Sequence, residues 1–168
     1  MKTKTINLYQ FSELSEEAKK NAINKLSAIN VEFSNWFEST YEDAENINFK
    51  ITGFDIDRAS YVKGNFIVSA ADTAELIKVS HGNECDTFDT AKEFLNDLEA
   101  LTGENGRIEQ SVEEEIEELE DEFLKSLCED YRIILTKEYE YRTSEEAIID
   151  TIEANEYYFT DDGTLTSE

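Results

Sequence analysis

Between Glu109 and Glu122 the chain carries nine carboxylates, Glu109, Glu113, Glu114, Glu115, Glu117, Glu118, Glu120, Asp121 and Glu122, without one Lys or Arg among them. A rigid helix with carboxylates every few ångströms presents a charge density comparable to that of a phosphate backbone. It can therefore occupy a channel built for nucleic acid. The bland alternative is a solvated helix face, but a merely soluble helix usually interleaves its acids with Lys in i,i+4 pairs, and this one does not. Glu113, Glu114, Glu117, Glu118, Glu120, Asp121 and Glu122 are the expected partner-binding residues. Acids in Tyr41-Glu42-Asp43-Ala44-Glu45 and Asp161-Asp162 are placed to enlarge the anionic surface.

Other residues capable of chemistry are weaker candidates. His81 and Cys85 are the one His/Cys pairing close in sequence, and Cys128 would have to join them in space. Three ligands at arbitrary spacing make no zinc signature, and there is no second His to complete a finger-type site. A Cys–His nucleophile pair lacks an orienting third group at a recognisable spacing, so Cys128 reads as an inert small hydrophobe. Asp55 and Asp57 place two carboxylates on one strand face, the beginning of a Mg²⁺ or hydrolytic site, although Arg58 offers a simple ion pair. Asp161-Asp162-Gly163 lacks the later ligands and closing Glu of a calcium loop and reads as a turn. Gly-rich phosphate loops are absent, and Lys2, Lys4 and the pair Lys19-Lys20 form no basic cluster. With no catalytic motif, the expectation is a non-enzyme with neither metal nor cofactor.

The charge is extreme for the size: 15 Lys and Arg against 40 Asp and Glu in 168 residues, a net −25. Disordered acidic chains lack aromatics and β-branched residues, whereas this one has 10 Phe, 8 Tyr and a hydrophobic fraction of 39%, enough for a core. Such self-repulsion is destabilising and solubilising, and it points to a basic partner, such as a nucleic-acid-binding protein. Direct binding of nucleic acid or an anionic membrane is disfavoured, because phosphate repels carboxylate. Two cysteines make no disulfide framework, and the opening MKTKTINLYQF has no apolar h-region, so a reducing cytoplasm is the expected setting.

The elements that would position these residues form an α+β pattern. Thr3–Tyr9 alternates as a strand, and Ser15 is the expected N-cap of a helix running to about Ile29. A second helix, about Val31–Ala44, would present Phe33, Trp36, Phe37 and Tyr41 to a core as half of a helical hairpin. Strands Asn48–Asp57 and Tyr61–Ala70 follow, joined by Arg58-Ala59-Ser60 and bulged near Gly53. Helices are expected over Ala71–Val79, Thr87–Leu101, 110–142 and Ser144–Asn155, then a last strand from Tyr157 entering a turn at Asp162-Gly163. In the long helix Val112, Ile116, Leu119, Phe123, Leu127, Tyr131 and Ile134 recur in steps of three and four, giving an apolar seam opposite the acids. The expectation is a single α+β domain over 1–168, a small antiparallel sheet of three or four strands packed with helices, with 110–142 a long acidic amphipathic helix. That helix could pack on its own domain or on a second copy in a homodimer.

The opening Asn7-Leu8-Tyr9-Gln10-Phe11-Ser12-Glu13-Leu14-Ser15-Glu16-Glu17-Ala18-Lys19 resembles a segment of many small phage and prophage proteins. In these a short strand ends in a Tyr-x-Phe-x-Glu-Leu-Ser-like turn, followed by a helix rich in Ala and Lys. Ile51-Thr52-Gly53-Phe54-Asp55-Ile56-Asp57-Arg58, and Tyr139-Glu140-Tyr141 through Ala154-Asn155-Glu156, are similar to parts of such proteins. The resemblance covers roughly half of the chain and identifies no catalytic residue. Several small acidic phage proteins, including inhibitors of Cas9-type nucleases (anti-CRISPR proteins) and of restriction enzymes, act by blocking nucleic-acid sites. The resemblance thus implies a phage-derived anti-defence protein acting in the bacterial cytoplasm as a stoichiometric DNA mimic. Two other classes stand beside it. One is an interaction or antitoxin-like module that recognises its partner by shape and apolar contacts. The other is a hydrolase using Asp55 and Asp57.

Overall fold

The computed structural model describes residues 7–102 and 112–166. In chain order its elements are β1 (Tyr9–Gln10), a 3-10 turn (Phe11–Glu13), α1 (Glu16–Lys25), α2 (Glu38–Asn46), β2 (Phe49–Asp55), β3 (Tyr61–Phe66), α3 (Ala70–Ser80), α4 (Asp86–Thr102), α5 (Glu113–Arg142), α6 (Glu145–Ala154) and β4 (Tyr158–Phe159). The class is α+β, and the four antiparallel strands form two separate ladders, β1 with β4 and β2 with β3. The chain divides into two compact units, one of Met1–Trp36 and Lys137–Glu168, the other of Phe37–Thr136.

In the first unit α1 and α6 start alike. Ser15 Oγ accepts from the Ala18 N–H at 3.2 Å and Ser144 Oγ from the Ala147 N–H at 3.3 Å, each followed by two Glu in the first turn, where the helix dipole favours them. Phe11, Leu14, Ala18, Ala22, Ile148, Ile152 and Phe159 make the core. The ladder is short, pairing Tyr9 with Phe159 and Gln10 with Tyr158. Of the strand expected over Thr3–Tyr9, residues 1–6 lie outside the described part, Asn7 and Leu8 are not in a strand, and the ladder begins at Tyr9.

The helix expected over Val31–Ala44 starts only at Glu38, and residues 26–37 form turns and bends. Asn30 accounts for the difference. Its amide donates to the carbonyls of Arg142 at 3.0 Å and Ala147 at 3.2 Å and accepts from the Thr151 hydroxyl at 2.7 Å, while Ser34 Oγ donates to the Asn30 carbonyl at 2.7 Å. Such bonds compete with a helical ladder. Phe33, expected in the core, is 93% exposed, and Trp36 is buried against Tyr139 with ring centroids 5.7 Å apart. α1 and α2, expected as the two arms of a helical hairpin, fall in different units.

In the second unit β2 and β3 form the expected hairpin. Ile51 faces Gly64 and Gly53 faces Lys63, leaving Thr52 as the extra residue of a bulge. The second strand stops at Phe66, short of the expected Ala70, because Ser69 caps α3: its Oγ accepts from the Asp72 N–H at 3.1 Å. Phe94 stacks on Phe123, Phe123 on Phe66, and Phe49 on Tyr131, with centroids 4.4, 5.4 and 5.5 Å apart. Phe49 and Phe66 join these stacks at 6.2 Å, so one aromatic run ties α4, the hairpin and α5 together.

The Asp162-Gly163 turn forms as the sequence suggests, with Gly163 at φ 78°. A Cβ there would run into the Ala18 carbonyl of α1. Gly163→Ala is expected to destabilise the protein by about 2 kcal/mol or more in urea unfolding. A change below about 0.5 kcal/mol would show that the turn relaxes freely.

Candidate functional site

α5 carries its apolar seam inward, with Phe123, Leu127, Tyr131 and Leu135 buried. On its other side Glu113, Glu114, Glu117, Glu118, Asp121 and Glu122 are exposed and Glu120 is half-buried. None of the seven has an ion-pair partner among the described residues; Glu109 lies outside them. Glu113–Glu122 holds eight carboxylates in ten residues, about one per 1.9 Å at a helical rise of about 1.5 Å per residue, against about one phosphate charge per 1.7 Å of duplex axis. The anionic face continues onto α4, where Glu93 and Asp97 line a groove with Glu122 over Phe94 and Phe123. The sequence also pointed to the acids near Tyr41 and to Asp161-Asp162, of which Glu42, Glu45 and Asp161 are exposed. Asp43 is committed to His81 and Tyr131, however, and Asp162 to its own turn. Bonds from the Thr160 and Thr164 hydroxyls and the Thr164 N–H hold its carboxyl down at about 2.

The single histidine sits in a polar bridge. His81 Nδ1 lies 2.7 Å from Thr87 Oγ1, and Nε2 lies 3.5 Å from Asp43 Oδ1, whose other oxygen accepts from the Tyr131 hydroxyl at 2.9 Å. With Nε2–H turned to Asp43, Nδ1 accepts from Thr87, a tautomer assigned from these neighbours. The Nε2 contact is too long for a full hydrogen bond and leaves that buried nitrogen otherwise unpartnered among the described residues. The His81 imidazole, and then the Tyr131 hydroxyl, hold the Asp43 carboxyl below the usual range; burial pushes the Tyr131 phenol far up. Hydroxyl, imidazole and carboxylate stand in relay order, but Thr87 is only 2% exposed, so no substrate carbonyl can reach it.

The remaining candidates do not converge. Cys85 is exposed beyond α3 and Cys128 is half-buried on α5, while His81 is taken up by Thr87 and Asp43. Asp55 Oδ1 accepts from the Asp57 N–H at 2.8 Å, closing the hairpin loop, and Asp57 points 3.9 Å from Arg58. Asp55 therefore serves the turn and Asp57 has Arg58 beside it. Among the described residues no group of three or more His, Cys, Asp or Glu is placed to hold a metal ion, and no helix is long and apolar enough to cross a membrane.

One constellation escaped the sequence, which showed no basic cluster. A groove of about 530 Å³ between β3 and α5 gathers Lys63, Lys125 and Arg132 around Ser60, Tyr61, Gly64 and Cys128. Arg132 forks onto Glu129, with Nε to Oε2 at 2.7 Å, and Nη1 donates to Ser60 Oγ at 3.1 Å. Lys63 Nζ sits 5.0 Å over the Tyr61 ring. Neither Lys63 nor Lys125 has a carboxylate partner among the described residues. Burial pushes the Cys128 thiol up, partly offset by a bond from the Gly64 backbone. The period-two spacing of Tyr61, Lys63 and Asn65 and the helical spacing of Lys125, Cys128 and Arg132 were visible separately; only folding sets them face to face.

Because Asp43 titrates lower when folded than unfolded, it stabilises the fold above its ordinary pKa of about 3.9, and that contribution is lost as pH falls through its depressed folded value. Tyr131→Phe should therefore cost about 1 kcal/mol at neutral pH and progressively less in acid, once Asp43 is protonated. Urea titrations across the acid range check this, and a cost independent of pH would show that the hydroxyl does not act through the charge on Asp43. No protein-family model, curated protein or solved structure matches the chain.

Proposed function

We propose that the protein is a phage-derived anti-defence factor, a stoichiometric inhibitor in the bacterial cytoplasm. Its acidic α5 face docks on the basic nucleic-acid groove of a host nuclease, Cas9-type first and a restriction enzyme second. The observation that carries this reading is the density of exposed, unpaired carboxylates over Glu113–Glu122, close to that of duplex phosphates along the axis and continued by Glu93 and Asp97 of α4. A protein groove shaped to release counterions from phosphates gains the same release from such a helix. The exclusion of DNA or guide RNA then follows from occupancy alone and requires no catalytic group.

Four exposed positions, Glu114, Glu117, Glu118 and Asp121, test this. Changing all four to Lys relieves repulsion within the helix, so the fold should persist by circular dichroism while nuclease inhibition disappears. Binding of the unaltered protein to the nuclease should weaken steeply between low and high salt. Undiminished inhibition by the quadruple variant overturns mimicry. Salt-insensitive binding favours the module that recognises its partner by shape and apolar contacts.

A further inference from the structure

The groove between β3 and α5 has the opposite sign to the rest of the surface. In a chain of net −25, three cationic residues line it against one carboxylate, Glu129. Holding like charges together in a concavity is unfavourable unless an anion enters. α5 carries acids along most of its exposed length, yet Lys63 and Lys125 have none within ion-pair distance among the described residues. Screening over about 8 Å at physiological ionic strength lets such an island act locally despite the acidic remainder.

The groove is built as well as charged. Ser60 sits at φ 28°, a left-handed conformation unusual for a non-glycine residue, and this places its Oγ on Arg132 Nη1. At Gly64 a Cβ would meet the Phe49 ring and the Lys50 carbonyl, so β3 lies tight on the core where Gly64 and Cys128 line the groove. Of the five N–H groups of the Arg132 guanidinium, three are held by Glu129 and Ser60, leaving two to donate. Tyr61, Val62 and Leu124 give an apolar wall, and Thr52 and Asn65 add neutral polar groups. The volume lies within the range of about 300–1,000 Å³ typical of small-molecule sites.

We propose that this groove binds a small phosphorylated ligand of nucleotide size, its phosphate between Lys63, Lys125 and Arg132 and its organic body against Tyr61, Val62 and Leu124. The groove lies just C-terminal to the acidic run on the same side of α5, with Lys125 one turn beyond Asp121, and the proposal does not rest on the anti-defence reading.

Titrating the full chain with inorganic pyrophosphate and with ADP, followed by ¹H–¹⁵N spectra and calorimetry, tests it. Both probes should saturate, ADP more tightly, with shifts centred on Ser60–Asn65 and Leu124–Arg132. Lys63→Gln with Lys125→Gln should weaken ADP at least about tenfold, whereas Glu129→Gln should tighten it by removing the opposing charge and freeing at least one of the two Arg132 donors now on Glu129. Failure of both probes to saturate by about 10 mM, or undiminished ADP binding in the double variant, overturns the proposal. So does tighter binding of poly-glutamate than of ADP, which would mark the groove as a docking site for an acidic protein. Should the double variant not fold, Glu129→Gln decides alone, and unchanged affinity there counts against the site.

Discussion

Aromatic stacking along α5 is the interaction on which the second unit depends. A helix carrying eight carboxylates in its first ten residues repels itself, and i,i+4 pairing does not relieve it there. What holds the helix is the other side: Phe123 between Phe94 and Phe66, and Tyr131 on Phe49. Large apolar faces buried at centroid distances of 4.4 to 5.5 Å supply both area and ring geometry. Because these rings also belong to α4 and the hairpin, the same contacts that anchor the acidic helix set the walls of the two grooves along it.

Those grooves carry opposite signs, and the reason is local. Along the α4 side, Glu93 and Asp97 project toward Glu122, so the acidic face of α5 broadens. Along the β3 side, the alternation of the strand brings Lys63 out while the helical stripe brings Lys125 and Arg132 to meet it. The polar bridge of Thr87, His81, Asp43 and Tyr131 lies at the end of the aromatic run, where Tyr131 needs a partner for a fully buried hydroxyl. Asp43 supplies it and remains partly solvated, so its charge is tolerated. The one histidine is thereby explained as a strut within the unit.

The first unit follows simpler rules. Two Ser-capped helices with acidic first turns, small residues Ala18 and Ala22 on the contact face, and a glycine turn packed against α1 account for most of it. Its departure from expectation, the turns and bends at residues 26–36, arises where an asparagine finds better partners in carbonyls more than a hundred positions away.

What the sequence determined by itself was whatever rests on short-range periodicity and local chemistry. The seam and acidic face of α5, the Ser15 cap, the β2–β3 hairpin with its bulge and the Asp162-Gly163 turn all depend on residues within a few positions of one another, so spacing was enough. Tertiary structure alone decided the division of four strands into two ladders, the loss of the helix before Glu38, the employment of Asp43 and the meeting of Lys63 with Lys125 and Arg132. Each of these depends on which faces come together across distances in the chain that reach 150 positions for Tyr9 and Phe159, and periodicity carries no information on that pairing. A lysine on a strand and another on a helix look isolated in the chain; their proximity is a property of the packing of Phe49, Phe66 and Phe123 beneath them.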